Sequence, residues 1–228
     1  MIAFALAAFL CIVNLSISPP SPFYDANFVS LPAGSVALFS NPAGLGLNTG
    51  AELMAAYNIG AKVYRGGITV RNIGFGAVKE DSVTHYEGDI GVRLPGAFAF
   101  GYAYEFHDTS EHKLGFLCRT SPKLSLGFTT TLAVRKYING SISIKPLEQY
   151  LILSADISYE GIDDTVQYYF GAALQTTQGS KLFFCTDRDL KWHAGLDITF
   201  AALRVAASYT KEPKKFSVGA VFNAPVYQ

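Results

Sequence analysis

From Ala51 almost to its end, the chain alternates oily residues with small or polar ones. Residues 123–136 carry the pattern most fully. Leu124, Leu126, Phe128, Leu132 and Val134 share one parity; Ser125, Gly127, Thr129, Thr131 and Arg135 share the other. Successive side chains of a strand point to opposite faces, so this spacing predicts a strand with one apolar face and one small, polar face. Residues 97–106 repeat the format, with an aromatic stripe of Phe98, Phe100, Tyr102, Tyr104 and Phe106 backed by Ala97, Ala99, Gly101, Ala103 and Glu105. It recurs from Leu53, through Val63, to Phe222, and the runs together predict about twelve strands. Residues 66–79 are the least regular, and Asn72-Ile73-Gly74 reads there as a turn or bulge.

The connections add a second pattern. Leu94-Pro95-Gly96, Thr120-Ser121-Pro122, Glu160-Gly161-Ile162-Asp163 and Ala201-Ala202 are tight, and longer polar stretches at residues 107–111, 137–146, 176–189 and 211–214 fall between them. Within the second stretch, Asn139-Gly140 predicts a hairpin turn outside the membrane, with a bulge near Lys145-Pro146. Short turns alternating with long loops are expected of transmembrane barrels, whose periplasmic turns are short and extracellular loops long. With both termini periplasmic, residues 123–136 start at the periplasmic side.

The two faces then indicate the solvent. The polar face is mostly Gly, Ala, Ser, Thr and Gln with a few charges, namely Arg93, Glu105, Arg119, Arg135, Asp156, Asp197 and Arg204. A water-facing exterior would be far denser in Lys and Glu, so this face suits a barrel lumen. The other face is nearly free of charge, as lipid requires. Tyr104, Phe106, Tyr159, Trp192, Phe200, Tyr209 and Phe222 fall near strand ends, where aromatic girdles form. Residues 215–222 look like the C-terminal assembly signal of outer-membrane proteins. Composition agrees: 21 Gly, 17 Phe and 13 Tyr without helical periodicity suit a β-barrel. Eighteen basic against eighteen acidic residues give a net charge of zero, which argues against a nucleic-acid partner.

Ahead of the strands, residues 1–15 read as the apolar core of a secretory signal, ending by about residue 18. Residues 19–50 follow, rich in Pro, Ser, Gly and Asn, with no sustained alternation. Within them, Asn41-Pro42-Ala43-Gly44-Leu45 resembles the N-terminal signature of outer-membrane barrels of the FadL-like (long-chain fatty-acid transporter) and PorV/PorQ-like groups. In those groups the segment tucks into the barrel. The resemblance implies a plug built on Asn41, Pro42, Ala43 and Gly44. It also implies passage of hydrophobic small molecules, or service as a membrane component of a secretion or surface-attachment system.

Enzymatic chemistry is not expected. The four histidines have no nucleophile placed beside them by sequence, Asp187-Arg188-Asp189 offers too few oxygens for Ca²⁺, and no phosphate-binding Gly loop leads into a helix. The three cysteines, Cys11, Cys118 and Cys185, lack metal-ligand spacing, and Cys185 falls in a loop. The expectation is an all-β, antiparallel up-and-down transmembrane barrel over residues 51–228, narrow and plugged by residues 19–50, behind a signal peptide over residues 1–18. It calls for no cofactor or metal. Its partners are outer-membrane lipid, a hydrophobic small-molecule ligand, or secretion-system and surface proteins. Two other functions fit the same pattern: a non-conducting scaffold barrel that binds partner proteins, and a soluble secreted lipid-binding barrel.

Overall fold

The alternating runs pair in sequence order, each with its neighbours, until the last meets the first. In the computed structural model, which describes residues 21–106, 110–132, 137–147, 150–161, 164–177 and 179–224, the strands are β1 (Ala51–Asn58), β2 (Val63–Val70), β3 (Ile73–Glu80), β4 (Val83–Arg93), β5 (Phe98–Phe106), β6 (Glu111–Ser121), β7 (Leu124–Thr131), β8 (Tyr137–Ile144), β9 (Leu151–Glu160), β10 (Thr165–Thr177), β11 (Ser180–Asp187), β12 (Trp192–Phe200), β13 (Leu203–Thr210) and β14 (Lys215–Ala224). Every pairing is antiparallel. β1 pairs with β2 on one side and with β14 on the other, closing the barrel and leaving no free edge. Among the described residues no helix is long and apolar enough to cross a membrane.

The barrel has fourteen strands rather than the expected twelve. The two extra strands are β8 and β11, both read from sequence as loops. Asn139-Gly140 is a strong local turn signal, yet here it lies inside β8. Asn139 stands opposite Thr129 of β7 and Ser158 of β9, so pairing on both sides overrides local turn chemistry. Lys145-Pro146 accordingly belongs to the β8–β9 connection and not to a bulge. β11 was masked by its polar ends; its centre, Leu182-Phe183-Phe184-Cys185, is a strand, and Cys185 is fully buried. The first strand also ends earlier than expected. The chain turns after Asn58, whose Oδ1 accepts the Ala61 N–H at 2.7 Å, and Val63 faces inward as the first residue of β2. Within the 123–136 run, β7 ends at Thr131.

β1 begins and β14 ends on one rim, here called the near rim. Adding two strands puts the end of β9 and the start of β10 at the opposite, far rim, so the expected regular alternation of short and long connections does not hold. The fully described connections on both rims are brief. The tight turns at Arg71-Asn72, Asp81-Ser82 and Ala201-Ala202 each place their first residue in the left-handed region, at φ 54°, 50° and 47°, as two-residue hairpin turns require.

The faces separate cleanly. Leu53, Ile73, Phe75, Ile90, Phe170, Leu182, Phe184 and Phe222 stand exposed on the outside, each roughly half accessible, while Thr69, Ser143, Asp197 and Ser217 on the inside are nearly inaccessible. A continuous apolar band of this extent is not tolerated by a monomer in water. In lipid it is the required surface, and the soluble lipid-binding alternative fits poorly. Tyr57, Tyr64, Tyr86, Trp192 and Tyr209 cluster toward the far rim. Tyr57 stacks on Tyr64 at 4.1 Å, and Trp192 meets Tyr209 edge-on at 6.0 Å. Phe98, Phe200 and Phe222 lie toward the near rim.

Candidate functional site: the lumen and the N-terminal segment

Residues 21–50 form three 3-10 turns, Tyr24–Asn27, Gly34–Phe39 and Pro42–Leu47, with extended backbone between them. Short turns follow from Pro22, Pro32 and Pro42, which interrupt regular bonding. Phe23, Tyr24, Phe28, Val36, Leu38, Ala43 and Leu45 are buried to 1% exposure or less. Their neighbours are inward-facing wall residues. Tyr24 and Phe28 pack with Ile152, Ala173, Phe183 and Cys185, and Phe23 and Val36 with Met54, Ala56, Ala206 and Val221.

The wall is cut to the segment's shape. A Cβ added at Gly101 would lie 2.2 Å from the Ala43 nitrogen, and one at Gly127 only 2.0 Å from the Val29 oxygen. At Gly91 and Gly115 an added Cβ would collide with Gly46 and Asn41. These are close approaches of backbone to backbone or to a polar side chain, which only glycine permits.

Polar contacts fix the segment's register. Asn41 caps the third turn by accepting the Ala43 N–H at 3.1 Å, and its Nδ2 donates to the carbonyls of Val29 at 2.8 Å and of Phe116, in β6, at 3.2 Å. Ser35 donates from its backbone and hydroxyl to Glu52 of β1 at 2.6 and 3.0 Å. The Arg119 guanidinium holds the Pro32 carbonyl at 3.0 Å. Ser30 sits among Ser141 (2.7 Å) and Ser143 (2.6 Å), while the Ser125 hydroxyl donates to its carbonyl at 2.5 Å. Asp156 accepts the Val29 N–H at 3.3 Å and a hydrogen bond from Ser141.

Arg204 of β13 binds Asp25 of the segment at 2.6 and 2.9 Å. It also bonds Asp197 of β12, which is 1% exposed. Its guanidinium further lies 4.8 Å from the centre of the Phe23 ring. Burial pushes the Asp25 carboxyl up, but the Arg204 charge and hydrogen bonds outweigh it, leaving Asp25 below its ordinary value.

At the near rim a cavity of about 470 Å³ remains between the segment and the wall, lined by Gly34, Asn48, Thr49, Glu52, Arg119 and Asn223. Beyond the segment, toward the far rim, the inner faces of β4, β5 and β6 carry charge. Glu87 lies opposite Glu105, and Glu105 opposite Glu111; one level deeper, Asp89 lies opposite Ala103, and Ala103 opposite Lys113. His85 Nδ1 is 3.0 Å from Glu105, and Lys113 Nζ 3.4 Å from Glu87.

The residues singled out by sequence are distributed as follows. Asp156 and Asp197 are buried on the inner face, Arg119 and Arg204 partly buried with segment contacts, and Glu105 half-buried beside His85. Arg93 ends β4 and is exposed, and Arg135 lies outside the described residues, as does the expected signal peptide. Asn41, Pro42, Ala43 and Gly44 are all buried. Only Asp197 and Arg204 are brought together. The sequence reading passed over Asp25, Glu52, Glu87, Asp89 and Lys113 as site residues. Strand parity alone places Glu52, Glu87 and Asp89 on the inner face; nothing local marks Asp25. His193 is 2% exposed, with the Tyr169 hydroxyl at 2.5 Å and Asn27 at 3.4 Å, so it belongs to the packed interior rather than a solvated rim. Asp187 and Asp189 serve the β11–β12 turn: Asp187 accepts the Lys191 N–H at 2.9 Å, and Asp189 pairs with Lys191 at 3.5 Å. Among the described residues no group of His, Cys, Asp or Glu is arranged to hold a metal ion, and Cys118 and Cys185 are free.

No family model matches the sequence, and no curated protein matches it. Solved structures do resemble the fold. The CymD monoaromatic hydrocarbon channel aligns with 86% of this chain and 94% of its own, at TM-score 0.60 and 9% identity. The outer membrane protein Omp33 of Acinetobacter baumannii aligns with 78% of this chain and all of its own, at TM-score 0.56 and 10% identity. A triple mutant of the Rhodopseudomonas blastica porin aligns with 76% of this chain and 98% of its own, at TM-score 0.50 and 9% identity. At such identities the likeness is one of fold: a closed antiparallel barrel of the outer-membrane type.

Proposed function

We propose that the protein is a bacterial outer-membrane channel, closed at rest by residues 21–50 acting as a plug, and serving passage of small solutes. The observation that carries this reading is the segment's inaccessible packing against inward-facing residues of a barrel whose outer surface is apolar. A fourteen-strand barrel falls between eight-strand barrels, filled by their own side chains, and sixteen-strand porins, which hold an aqueous channel. Its inner wall of Gly, Ala and Ser cannot fill that width alone. The segment supplies the missing volume.

Wholesale ejection of the plug is an improbable route to opening. Each fully buried Phe, Leu or Val contributes roughly 1.5–3 kcal/mol, and Phe23, Phe28, Val36, Leu38 and Leu45 are all at 1% exposure or less. Local movement around Leu47–Gly50, where the near-rim cavity already lies, costs far less. The lumen is polar and charged, which favours polar solutes over the hydrophobic cargo expected from the FadL-like resemblance. Asn41-Pro42-Ala43-Gly44 keeps in this reading the plug role that the resemblance implies, and the Asn41 hydrogen bonds to Val29 and to Phe116 of β6 support it.

Proteoliposomes carrying the refolded protein test this. Gly101→Val and Gly127→Val, which displace the segment without touching the outer face, are expected to raise permeation of small sugars several-fold over the native protein. Unchanged permeation in both variants, with heat-modifiable migration intact, would instead favour the non-conducting scaffold.

A further inference from the structure

The far half of the lumen contains carboxylates that the plug does not use. β4 runs inward from the far rim, and its inward residues are, in order, His85, Glu87, Asp89 and Gly91; the last lies directly against Leu45 and Gly46 of the segment. Side-chain exposure falls along this path. Glu105 at the rim is 35% exposed, His85 29%, Lys113 24% and Glu87 12%. Asp89, at the floor, is 4% exposed. The described inward residues of β4 lead from the far rim to a floor at the segment.

The charge along this path is not balanced. Lys113 reaches one oxygen of Glu87, and His85 reaches Glu105. Glu87 and Asp89 lie within hydrogen-bond reach of each other, but apart from Lys113 no other described group bonds the second oxygen of Glu87 or either oxygen of Asp89. A buried carboxylate is retained only when something satisfies it. No described hydrogen bond runs from the segment to either oxygen of Asp89. The two carboxyls satisfy one another only by sharing a proton, whereas a cationic hydrogen-bond donor reaching both would let both stay ionised. Among the described residues no group is arranged to hold a metal ion, which leaves ammonium or guanidinium groups. Glu87 and Glu105 stand across adjacent strands, about 4.8 Å apart by backbone spacing, while Glu87 and Asp89 are two residues apart along β4, about 6.8 Å. Acceptors spaced in that way suit several ammonium groups on one flexible chain.

We infer that Glu87, Asp89 and Glu105 form a binding site for linear polyamines, with Lys113 as an internal competitor for Glu87. The site rests on the channel reading only for how solutes reach the far rim. It selects by charge and by hydrogen-bond donation, so neutral sugars and anions do not fill it. A polyamine seated there places its hydrocarbon linkers over Ala103, the small residue between Asp89 and Lys113.

Calorimetric titration of the refolded protein in non-ionic detergent with spermidine, at ionic strength held by NaCl, tests the site. Saturable binding is expected. Asp89→Asn and Glu87→Gln should each weaken it about tenfold, the loss of one charge-assisted contact. Lys113→Met should tighten it. Glu105→Gln, at the exposed end of the path, should weaken it also and serves if Asp89→Asn does not fold. Absence of saturable binding by the native protein, or binding by Glu87→Gln and Glu105→Gln as tight as the native protein's, overturns the site. The readout involves no flux. A protein that binds spermidine but does not conduct keeps the site and loses the channel, and one that conducts without binding does the reverse.

Discussion

Arg204 joins parts of the chain that are distant in sequence: Asp197 on the neighbouring strand and Asp25 on the segment, with the Phe23 ring beneath it. Removing a partner from a buried pair costs about 3–5 kcal/mol, because the remaining charge is left uncompensated. Arg204→Met therefore destabilises strongly, leaving Asp197 buried alone. Asp25→Asn costs less, since Arg204 still satisfies Asp197. Urea unfolding should rank the variants in that order. The Asp25 contact also has a pH dependence of definite sign. Its carboxyl is lowered in the folded state, so its stabilisation is fully present above the unfolded carboxylate value of about 3.9 and is lost as pH falls through the lower folded value. Protease accessibility of residues 21–50 should rise below about pH 4 in the native protein. In Asp25→Asn that part of the acid response should be missing.

At the scale of elements, most of the barrel could be read from alternation, and the exceptions are instructive. β5, β7 and β13 follow parity because each has a continuous apolar face toward one medium. β8 has only Ile138, Ile142 and Ile144 outward, interrupted by Gly140, and its inward Ser141 and Ser143 are polar because they bond Ser30 and Ser154. Its identity as a strand depends on partners remote in sequence, so local turn chemistry misled. β11 gave no long periodic run because its apolar centre, Leu182 to Cys185, is short and apolar on both faces between polar ends. The Asn41-Pro42-Ala43-Gly44 motif was visible in sequence, but the Asp25–Arg204 bridge and the Glu87–Asp89–Lys113 group are products of register and needed the closed barrel. One cross-link tests the segment's placement against β8. Ser30 and Ser143 hydroxyls are 2.6 Å apart, and Ser30→Cys with Ser143→Cys should form a disulfide on mild oxidation of the folded protein. The cross-linked chain should keep a protected N-terminus even in urea that frees the reduced one. Failure to cross-link while the barrel stays folded would place the segment elsewhere.

For the whole molecule, the described residues form a closed sheet with an apolar exterior. In the proposed channel the closing element is residues 21–50, which pack inside the wall. Far-rim carboxylates and a near-rim cavity then lie on opposite sides of one barrier. Ionic current through a planar lipid bilayer measures that barrier directly. The refolded native protein is expected to give rare or no conductance steps, and a variant lacking residues 21–48 to give steady, larger steps of uniform size with heat-modifiable migration preserved. Equal conductance, or equal silence, in the two proteins would contradict the account of a channel closed by its own N-terminal segment.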